Sequence, residues 1–273
     1  MNKKINRNDP CHCGSGRKYK YCHLGADKKR ILKTELTCDH CNTNIDVDLT
    51  SSYIGKLQIS DIPMMNFCKD EGFYMFRAMS VYNYLELMKK LENNSLTKKD
   101  FYDNYKEFLT QEDCMALLGN FCNEMEAFQS RQAILSDTIG AHFNNEFTLS
   151  IPIFFILIEG ILRQLWGIPD KDNFQPKFIK DTWNARLLFN MEDRIGFLNG
   201  YINSLYEGGK ESAVFSRNTV LHGINKEYYT EENSWSLLLL LCEIGYIKML
   251  EKQTVPFTFE KVTGGIKMTL PDL

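Results

Sequence analysis

The chain has 273 residues, of which 44% are hydrophobic, and this is enough apolar material for one large folded domain or two ordinary ones. Its net charge of −3 excludes a global field strong enough to hold the whole molecule on nucleic acid or anionic lipid. The charge is uneven, since residues 1–33 carry +8 and residues 34–273 carry −11. A basic head favours local docking to RNA or a ribosome, although a solvated basic end explains it equally well.

Residues 1–25 are rich in cysteine, glycine and lysine, and they show neither the 3.6-residue nor the two-residue apolar period. Cys11, Cys13, Cys22 and His23 place four zinc-type ligands within thirteen positions. Because four protein ligands leave no position for a catalytic water, we expect one structural Zn²⁺ that folds this segment in place of a core. The first predicted domain is therefore a zinc knuckle, residues 1–25.

Residues 6–23, which read NRNDPCHCGSGRKYKYCH, closely resemble the SEC-C motif, the zinc-binding tail of the bacterial preprotein translocase motor. In that family the knuckle contacts a chaperone and ribosomes, and it recurs as an accessory module on many unrelated proteins. The resemblance implies docking to a ribosome, RNA or a protein partner more than chemistry.

A second cysteine pair, Cys38 and Cys41, forms a lone C-x-x-C within the second predicted region, residues 26–136. Cys68 or His40 would complete a second zinc site, and this alternative stays open. Redox chemistry is less favoured, because no βαβ pattern surrounds the pair. A metal-dependent hydrolase built on Cys38, His40 and Cys41 is disfavoured, because no glutamate stands in an H-x-E or H-E-x-x-H arrangement.

The remaining pattern predicts a mainly α fold, a helical bundle with minor β elements. Ile45, Val47 and Leu49 alternate with aspartates, which indicates a short strand, and helical spacing begins near Phe73. Capping boxes are expected at Thr97 with Asp100 and at Thr110 with Asp113. Further helices are predicted over residues 149–166, 182–206, 212–221 and 234–251, with a β-hairpin over 257–262 and 266–270.

The longest apolar run, Ile151–Ile158, contains Pro152 and ends at Glu159. It is shorter than the roughly 20 residues that span a bilayer, so we predict a buried helix and no membrane contact. No secretory signal is recognisable at the start of the sequence. We therefore expect a cytoplasmic protein whose nine cysteines are reduced thiols or metal ligands.

Residues 215–223, FSRNTVLHG, resemble the signature of the HEPN superfamily, and the resemblance spans about residues 137–252. The motif residues are Arg217, Asn218 and His222, followed by Gly223. Members of that family are helical bundles and commonly dimers, and many are metal-independent ribonucleases whose motif lines the dimer cleft. The third predicted domain, residues 137–273, is therefore expected to be HEPN-like with a C-terminal hairpin.

The resemblance implies roles for these residues. His222 is assigned as general acid or base, Arg217 as phosphate clamp and Asn218 as positioning group. RNA carries its own nucleophile, the 2′-hydroxyl, so proton transfer and charge stabilisation suffice and a 2′,3′-cyclic phosphate is expected. Glu159 is predicted to hydrogen-bond Arg217 or His222 from the neighbouring helix, with a helix-end carboxylate as the equal alternative.

The function predicted from the sequence is a metal-independent endoribonuclease of the toxin or antiviral abortive-infection type, targeted by its zinc knuckle and acting as a homodimer. The alternative is a non-catalytic zinc-knuckle adaptor or a nucleotide-sensing HEPN protein, because a fold does not confer activity by itself.

Overall fold

The computed structural model describes residues 63–76, 78–172, 191–207 and 214–252, four strands, and the isolated positions 6, 8, 9, 18 and 174. The chain separates into two compact units. One is formed by Met1–Phe67, Asp181–Asp193 and Val255–Leu273, and the other by Cys68–Lys180 and Arg194–Thr254. The division into three domains remains a prediction, and its boundary at residues 136 and 137 lies within a helix.

The four strands of the first unit form two antiparallel pairs. Strand β1 (Lys33–Thr37) pairs with β2 (Asn44–Asp48), and Leu36 lies opposite Ile45. Strand β3 (Thr258–Val262) pairs with β4 (Gly265–Thr269) where the sequence predicts a hairpin. The alternating segment around Val47 is strand β2, whereas its partner β1 was not predicted.

The described part of the chain is mainly helical, as the sequence predicts. Its helices are α1 (residues 63–70), α2 (Val81–Glu92), α3 (Lys98–Phe108), α4 (Gln111–Glu124), α5 (Glu126–Gln129), α6 (Gln132–Phe143), α7 (Phe147–Trp166), α8 (Met191–Glu207), α9 (Arg217–Leu221) and α10 (Glu231–Lys252). Both capping boxes are confirmed: the hydroxyls of Thr97 and Thr110 accept hydrogen bonds from the backbone N–H groups of Asp100 and Asp113.

The prediction of helix from Phe73 onward is wrong at its start. Residues 73–76 are non-helical and their side chains are buried, and α2 begins only after Ser80, whose hydroxyl accepts from the N–H of Asn83. The N–H of Phe76 donates instead to the hydroxyl of Tyr105 at 3.0 Å. When every residue of an apolar run is buried, the sequence shows neither helical nor strand periodicity. The spacing of apolar residues therefore assigned this run wrongly.

Helix α7 is the core helix of the second unit, and α6 and α10 pack against it. Its buried side chains are Ser150, Ile151, Phe154, Phe155, Leu157, Ile158, Ile161 and Leu162. By length and composition it is also able to cross a membrane, although core helices of soluble proteins meet the same criteria. It ends at Gly167, which adopts φ 59°, the left-handed cap predicted for this position.

Pro152 lies inside α7 and does not break it. Proline lacks an N–H, so the carbonyl of Thr148, four residues earlier, loses its donor within the helix. The hydroxyl of Tyr228 donates to this oxygen at 3.3 Å. A later segment of the chain thus supplies a donor for the carbonyl that Pro152 leaves without one.

Helices α4 and α10 approach closely at Gly245. A Cβ at this position would lie 2.5 Å from Cε2 and 2.6 Å from Cδ2 of Phe121, closer than non-bonded carbons tolerate. Phe121 is 2% exposed, so its ring has little room to move. Glycine at 245 is therefore required by packing against α4.

We predict that Gly245→Ala destabilises the protein by roughly 1–3 kcal/mol, because the added methyl forces the Phe121 ring or the helix axis to shift. Gly119→Ala is the matched control, since nothing lies within 4 Å of its Cβ position in α4. In a helix interior that change is expected to be neutral or stabilising by up to about 1 kcal/mol. Urea denaturation measures both, and equal midpoints for the two variants would contradict the packing interpretation.

Candidate functional site

Helix α9 carries the predicted motif and is fixed at its start by buried polar groups. Ser216 is its N-cap, and Ser216 and Thr219 form a reciprocal capping box. The Thr219 hydroxyl also donates to the carbonyl of Val214 at 2.6 Å, and Nδ2 of Asn225 donates to the same carbonyl at 3.3 Å. Residues 214–216 are not helical, so the helix predicted over residues 212–221 begins only at Arg217.

The segment from Arg217 to Tyr228 runs back along α7. Its first residue contacts Glu159 in the C-terminal half of α7, and its last contacts Thr148 in the first turn. The motif is thus held against one face of the core helix at both ends.

Glu159 pairs with two arginines from different parts of the chain. Its Oε1 accepts from Nε of Arg163 at 2.9 Å, and its Oε2 lies 2.7 Å from Nε of Arg217. The Glu159 side chain is only 14% exposed, so both ion pairs are partly shielded from water. Glu159 lies inside α7 rather than at its end, and it forms an ion pair with Arg217 where the sequence predicts a hydrogen bond to Arg217 or His222.

The contact between Arg217 and Glu159 leaves hydrogen-bonding capacity on the arginine. Nε of Arg217 is buried, yet its N–H is not aligned with the carboxylate and makes no hydrogen bond within the described residues. Nη1 has one long contact, 3.4 Å to Oδ1 of Asn218. A guanidinium offers five N–H donors in a planar fork, so Arg217 retains donors for a ligand.

Arg163, unlike Arg217, donates hydrogen bonds to backbone carbonyls of the loop that follows α7. Its Nη1 donates to the carbonyls of Pro169 and Asp172 at 3.2 and 3.1 Å, and its guanidinium lies 5.5 Å from the ring centre of Phe174. These contacts fix the loop that follows α7. Arg163 therefore ties the loop after α7 to the site, whereas the described side-chain contacts of Arg217 are those with Glu159 and Asn218.

A cleft of about 320 Å³ opens beside Arg217. It is lined by Glu159, Arg163, Tyr206, Arg217 and Asn218, and further by Asp172, Phe174 and Glu207. The hydroxyl of Tyr206 donates to the carbonyl of Phe155 at 2.9 Å, and burial raises the pKa of this phenol well above its usual value. Tyr206 is thus a neutral wall residue, and the charges of the cleft come from its arginines and carboxylates.

His222 lies at the other end of α9. It is the C-terminal cap residue, its N–H donates to the carbonyl of Asn218 at 3.1 Å, and its side chain is exposed. It is not among the residues that line the cleft. The structure thus brings Arg217, Asn218 and Glu159 together and places His222 one helical turn away at the surface; the catalytic roles of all four remain predictions.

Sequence reasoning missed a buried histidine. Nδ1 of His142 in α6 lies 2.7 Å from the hydroxyl of Ser234, which in turn lies 2.9 Å from that of Ser150. His142 is 2% exposed, and its ring lies 4.7 Å from that of Trp235. No spacing motif marks His142, because its partners come from α7 and α10.

Burial lowers the pKa of His142 to about 4, and Glu231, which favours the charged ring, offsets only part of this effect. An unfolded histidine titrates near its ordinary value of 6.5. Between these values the unfolded chain binds more protons than the folded one. The stability that the protein gains from burying neutral His142 is therefore fully present above about pH 6.5 and is lost as pH falls toward 4.

We predict that His142 accounts for on the order of 3 kcal/mol of acid destabilisation between pH 6.5 and 4. His142→Phe removes the titration and keeps a ring in the aromatic surroundings, while Ser150 and Ser234 retain each other. Urea unfolding across this pH range should give a shallower slope for the variant. The carboxylates contribute equally to the pH dependence of both proteins. Parallel plots of unfolding free energy against pH for variant and wild type would therefore contradict the assignment to His142.

Most of the predicted metal ligands lie outside the part of the chain that the structure describes. Cys11, Cys13, Cys22 and His23 lie outside the described residues, and so do Cys38, His40 and Cys41. Cys68, named as a candidate to complete a second site, is buried in α1. Within the part of the chain that the structure describes, no three histidine, cysteine or acidic side chains are grouped as metal ligands.

Comparisons with known proteins bear on the N-terminal segment. Residues 7–25 match the SEC-C motif family, a zinc-binding type of motif. A 24-residue stretch is 67% identical to the protein translocase subunit SecA of Chloroflexus aggregans (strain MD-66 / DSM 9485). That stretch is 9% of this chain and spans 2% of the length of the relative. No solved structure matches this chain.

Proposed function

We propose that the protein is a cytoplasmic, metal-independent endoribonuclease effector of the toxin or antiviral type. Its active site would contain Arg217 and His222. The observation that carries the proposal is Arg217, a partly buried arginine that lines a cleft together with Glu159 and Asn218. The resemblance of residues 137–252 to the HEPN superfamily and the helical character of this region support it.

The proposed reaction uses the 2′-hydroxyl of RNA as nucleophile. A base removes its proton, the 2′-oxygen bonds to phosphorus, and the bond from phosphorus to the 5′-oxygen breaks. An acid protonates the departing 5′-oxygen, so the products are a 2′,3′-cyclic phosphate and a 5′-hydroxyl. Imidazole serves both proton steps because it exchanges protons near neutral pH, and we assign this role to His222.

Arg217 is assigned to the phosphate. Its fork of N–H donors matches two phosphate oxygens and stabilises the additional negative charge of the transition state. Asn218, whose Nδ2 lies 3.4 Å from the Tyr206 carbonyl, positions the phosphate or the Arg217 side chain. Glu159 is assigned a positioning role, because its carboxylate holds Nε of Arg217 while the outer nitrogens remain available.

A homodimer is part of the proposal. The reaction needs a base and an acid, one histidine per chain serves one of these steps at a time, and two chains would bring two His222 side chains. Large apolar side chains are exposed near the motif: Leu149 is 59% exposed and Ile156 54%, both on α7, while Leu221 and Ile224 are 38% and 40% exposed. The segment that contains Leu221 and Ile224 runs along α7, as described above. A symmetric interface over these residues would bury them and bring two motifs together.

We predict that Ile156→Glu with Leu149→Glu converts a dimer into a monomer and lowers ribonuclease activity at least about tenfold, because two charges would be buried at the interface. Light scattering after size exclusion measures the mass. Ile134→Glu is the matched control, since Ile134 is also 54% exposed but lies on α6. A monomeric wild type with full activity would reject the dimer.

The nuclease itself is tested with bulk cellular RNA in EDTA. We expect wild type to leave 2′,3′-cyclic phosphate ends, and His222→Ala to lose about 10²–10⁴-fold in rate because a general acid–base group is removed. Arg217→Lys should also lose activity, since an ammonium cannot replace the bidentate fork. A zinc-replete reaction runs alongside, because EDTA removes a knuckle zinc.

The variants must keep their helical content and thermal midpoint for the result to report on chemistry. His222 is exposed, so its replacement removes no buried contact. Unchanged cleavage by His222→Ala would remove this residue from the mechanism.

The alternative function, a zinc-knuckle adaptor, is favoured by the SEC-C match at residues 7–25. We propose Cys11, Cys13, Cys22 and His23 as the ligands of one structural Zn²⁺, because three thiolates and an imidazole are a zinc donor set. In an adaptor, Cys11→Ser with Cys13→Ser abolishes binding to ribosomes or another partner, while His222→Ala is silent. Loss of function in both variants indicates a nuclease that the knuckle delivers to its RNA.

A further inference from the structure

We propose that Thr219 is a positioning residue of the proposed ribonuclease, because its buried hydroxyl and its carbonyl connect the segment before Arg217 to the segment after His222. The inference rests on the proposed function, which assigns the roles of Arg217 and His222. It adds a residue that does not line the cleft and that would act only through those two side chains.

The side chain of Thr219 is bound to the residues that precede Arg217. Its hydroxyl donates to the carbonyl of Val214 at 2.6 Å and accepts from the backbone N–H of Ser216 at 3.1 Å. Thr219 and Ser216 are both 0% exposed, so water does not compete for these hydrogen bonds. The hydroxyl therefore fixes the backbone at the start of α9, from which the Arg217 side chain extends.

The carbonyl of Thr219 is bound to the residues that follow His222. It accepts from the backbone N–H groups of Ile224 at 2.8 Å and Asn225 at 2.9 Å. Gly223 adopts φ 67°, the left-handed conformation with which helices commonly end, and this turn directs the two N–H groups back to the carbonyl. The backbone of His222, the C-terminal cap residue of α9, is therefore fixed relative to Thr219.

Asn225 joins the two sides directly. Its Nδ2 donates to the carbonyl of Val214 at 3.3 Å, so this carbonyl accepts hydrogen bonds from both Thr219 and Asn225. Asn225 is buried, and its Oδ1 accepts from the N–H of Glu227 at 2.9 Å. Residues 214–225 thus form a closed loop of hydrogen bonds that is centred on Thr219 and contains the whole of α9.

Polar groups that are buried without partners destabilise a protein, so apolar side chains are the simpler way to attach a five-residue helix. A buried polar network with paired side chains restricts the backbone to one arrangement, which apolar packing does less strictly. The arrangement restricted here is the placement of Arg217 relative to His222. In the proposed reaction both act on a phosphodiester group, and such groups must be held in a narrow range of positions.

The test is Thr219→Val in the full-length, zinc-replete protein, because valine keeps the shape of the side chain and lacks the hydroxyl. Cleavage is followed with a single-stranded RNA oligonucleotide of mixed sequence that carries a fluorophore and a quencher. We expect a loss of roughly 10–100-fold, in kcat more than in KM, since Arg217 and His222 remain present but are displaced from the reacting atoms. Thr219→Ser restores the hydroxyl and should recover the rate to within about threefold of wild type.

Thr138→Val is the matched control. Thr138 is 4% exposed, and its hydroxyl donates to the carbonyl of Ile134 in α6 at 2.6 Å. The variant therefore loses an equivalent buried hydrogen bond at a residue that does not line the cleft. It should lose thermal stability as Thr219→Val does and keep kcat within about twofold of wild type. All variants are assayed well below their thermal midpoints.

A wild-type kcat in Thr219→Val, a loss that Thr219→Ser does not recover, or an equal loss in Thr138→Val would overturn the inference. If Thr219→Val does not fold, Asn225→Leu decides, because it removes the hydrogen bond to Val214 without adding a charge and should also lower kcat. A wild type that does not cleave RNA rejects the proposed function, and the role of Thr219 with it. An active wild type with an equally active Thr219→Val rejects this inference alone.

Discussion

The carboxylate of Glu159 holds the candidate site together. It is a single acid at 14% exposure between two guanidinium groups, one from its own helix and one from α9. Burying a carboxylate is costly unless it is paired, and both guanidinium groups lie within ion-pair distance of Glu159. Arg163 then positions the loop after α7, and Arg217 positions the start of α9. Three of the segments that line the cleft therefore meet at one carboxylate.

A second constraint sets the course of the chain beyond Arg217. Pro152 leaves the Thr148 carbonyl without a helical donor, and the Tyr228 hydroxyl satisfies it. Arg217 and Tyr228 therefore attach to α7 at Glu159 and Thr148, which are about three helical turns apart. The segment between them, which includes His222, is thus held near α7 at both of its ends. A proline that would ordinarily interrupt a helix here contributes to the placement of the motif.

Local signals in the sequence predicted the structure well where the cause is local. The capping boxes at Thr97 and Thr110 depend on residues three positions apart, and the end of α7 depends on the left-handed Gly167. The same reasoning failed at residues 73–76, where complete burial removes the period. The network of His142, Ser150 and Ser234 was not foreseen, because it joins residues up to 92 positions apart. The Glu159 and Arg217 pair was predicted only through the family resemblance, and its second partner, Arg163, was not.

The uneven charge of the chain suggests different roles for its two parts in the proposed enzyme. The body carries −11 over residues 34–273, so it repels RNA at long range, and a single arginine at a partly acidic cleft does not overcome that repulsion. The first 33 residues carry +8 and include the SEC-C match. Tethering raises the effective concentration of an RNA held by the head at the cleft of the same chain. In the proposed arrangement the head would supply affinity that is independent of sequence, while Arg217 would need only to orient one phosphate. If the protein acts on RNA as proposed, the acidic body would keep RNA that the head does not hold away from Arg217.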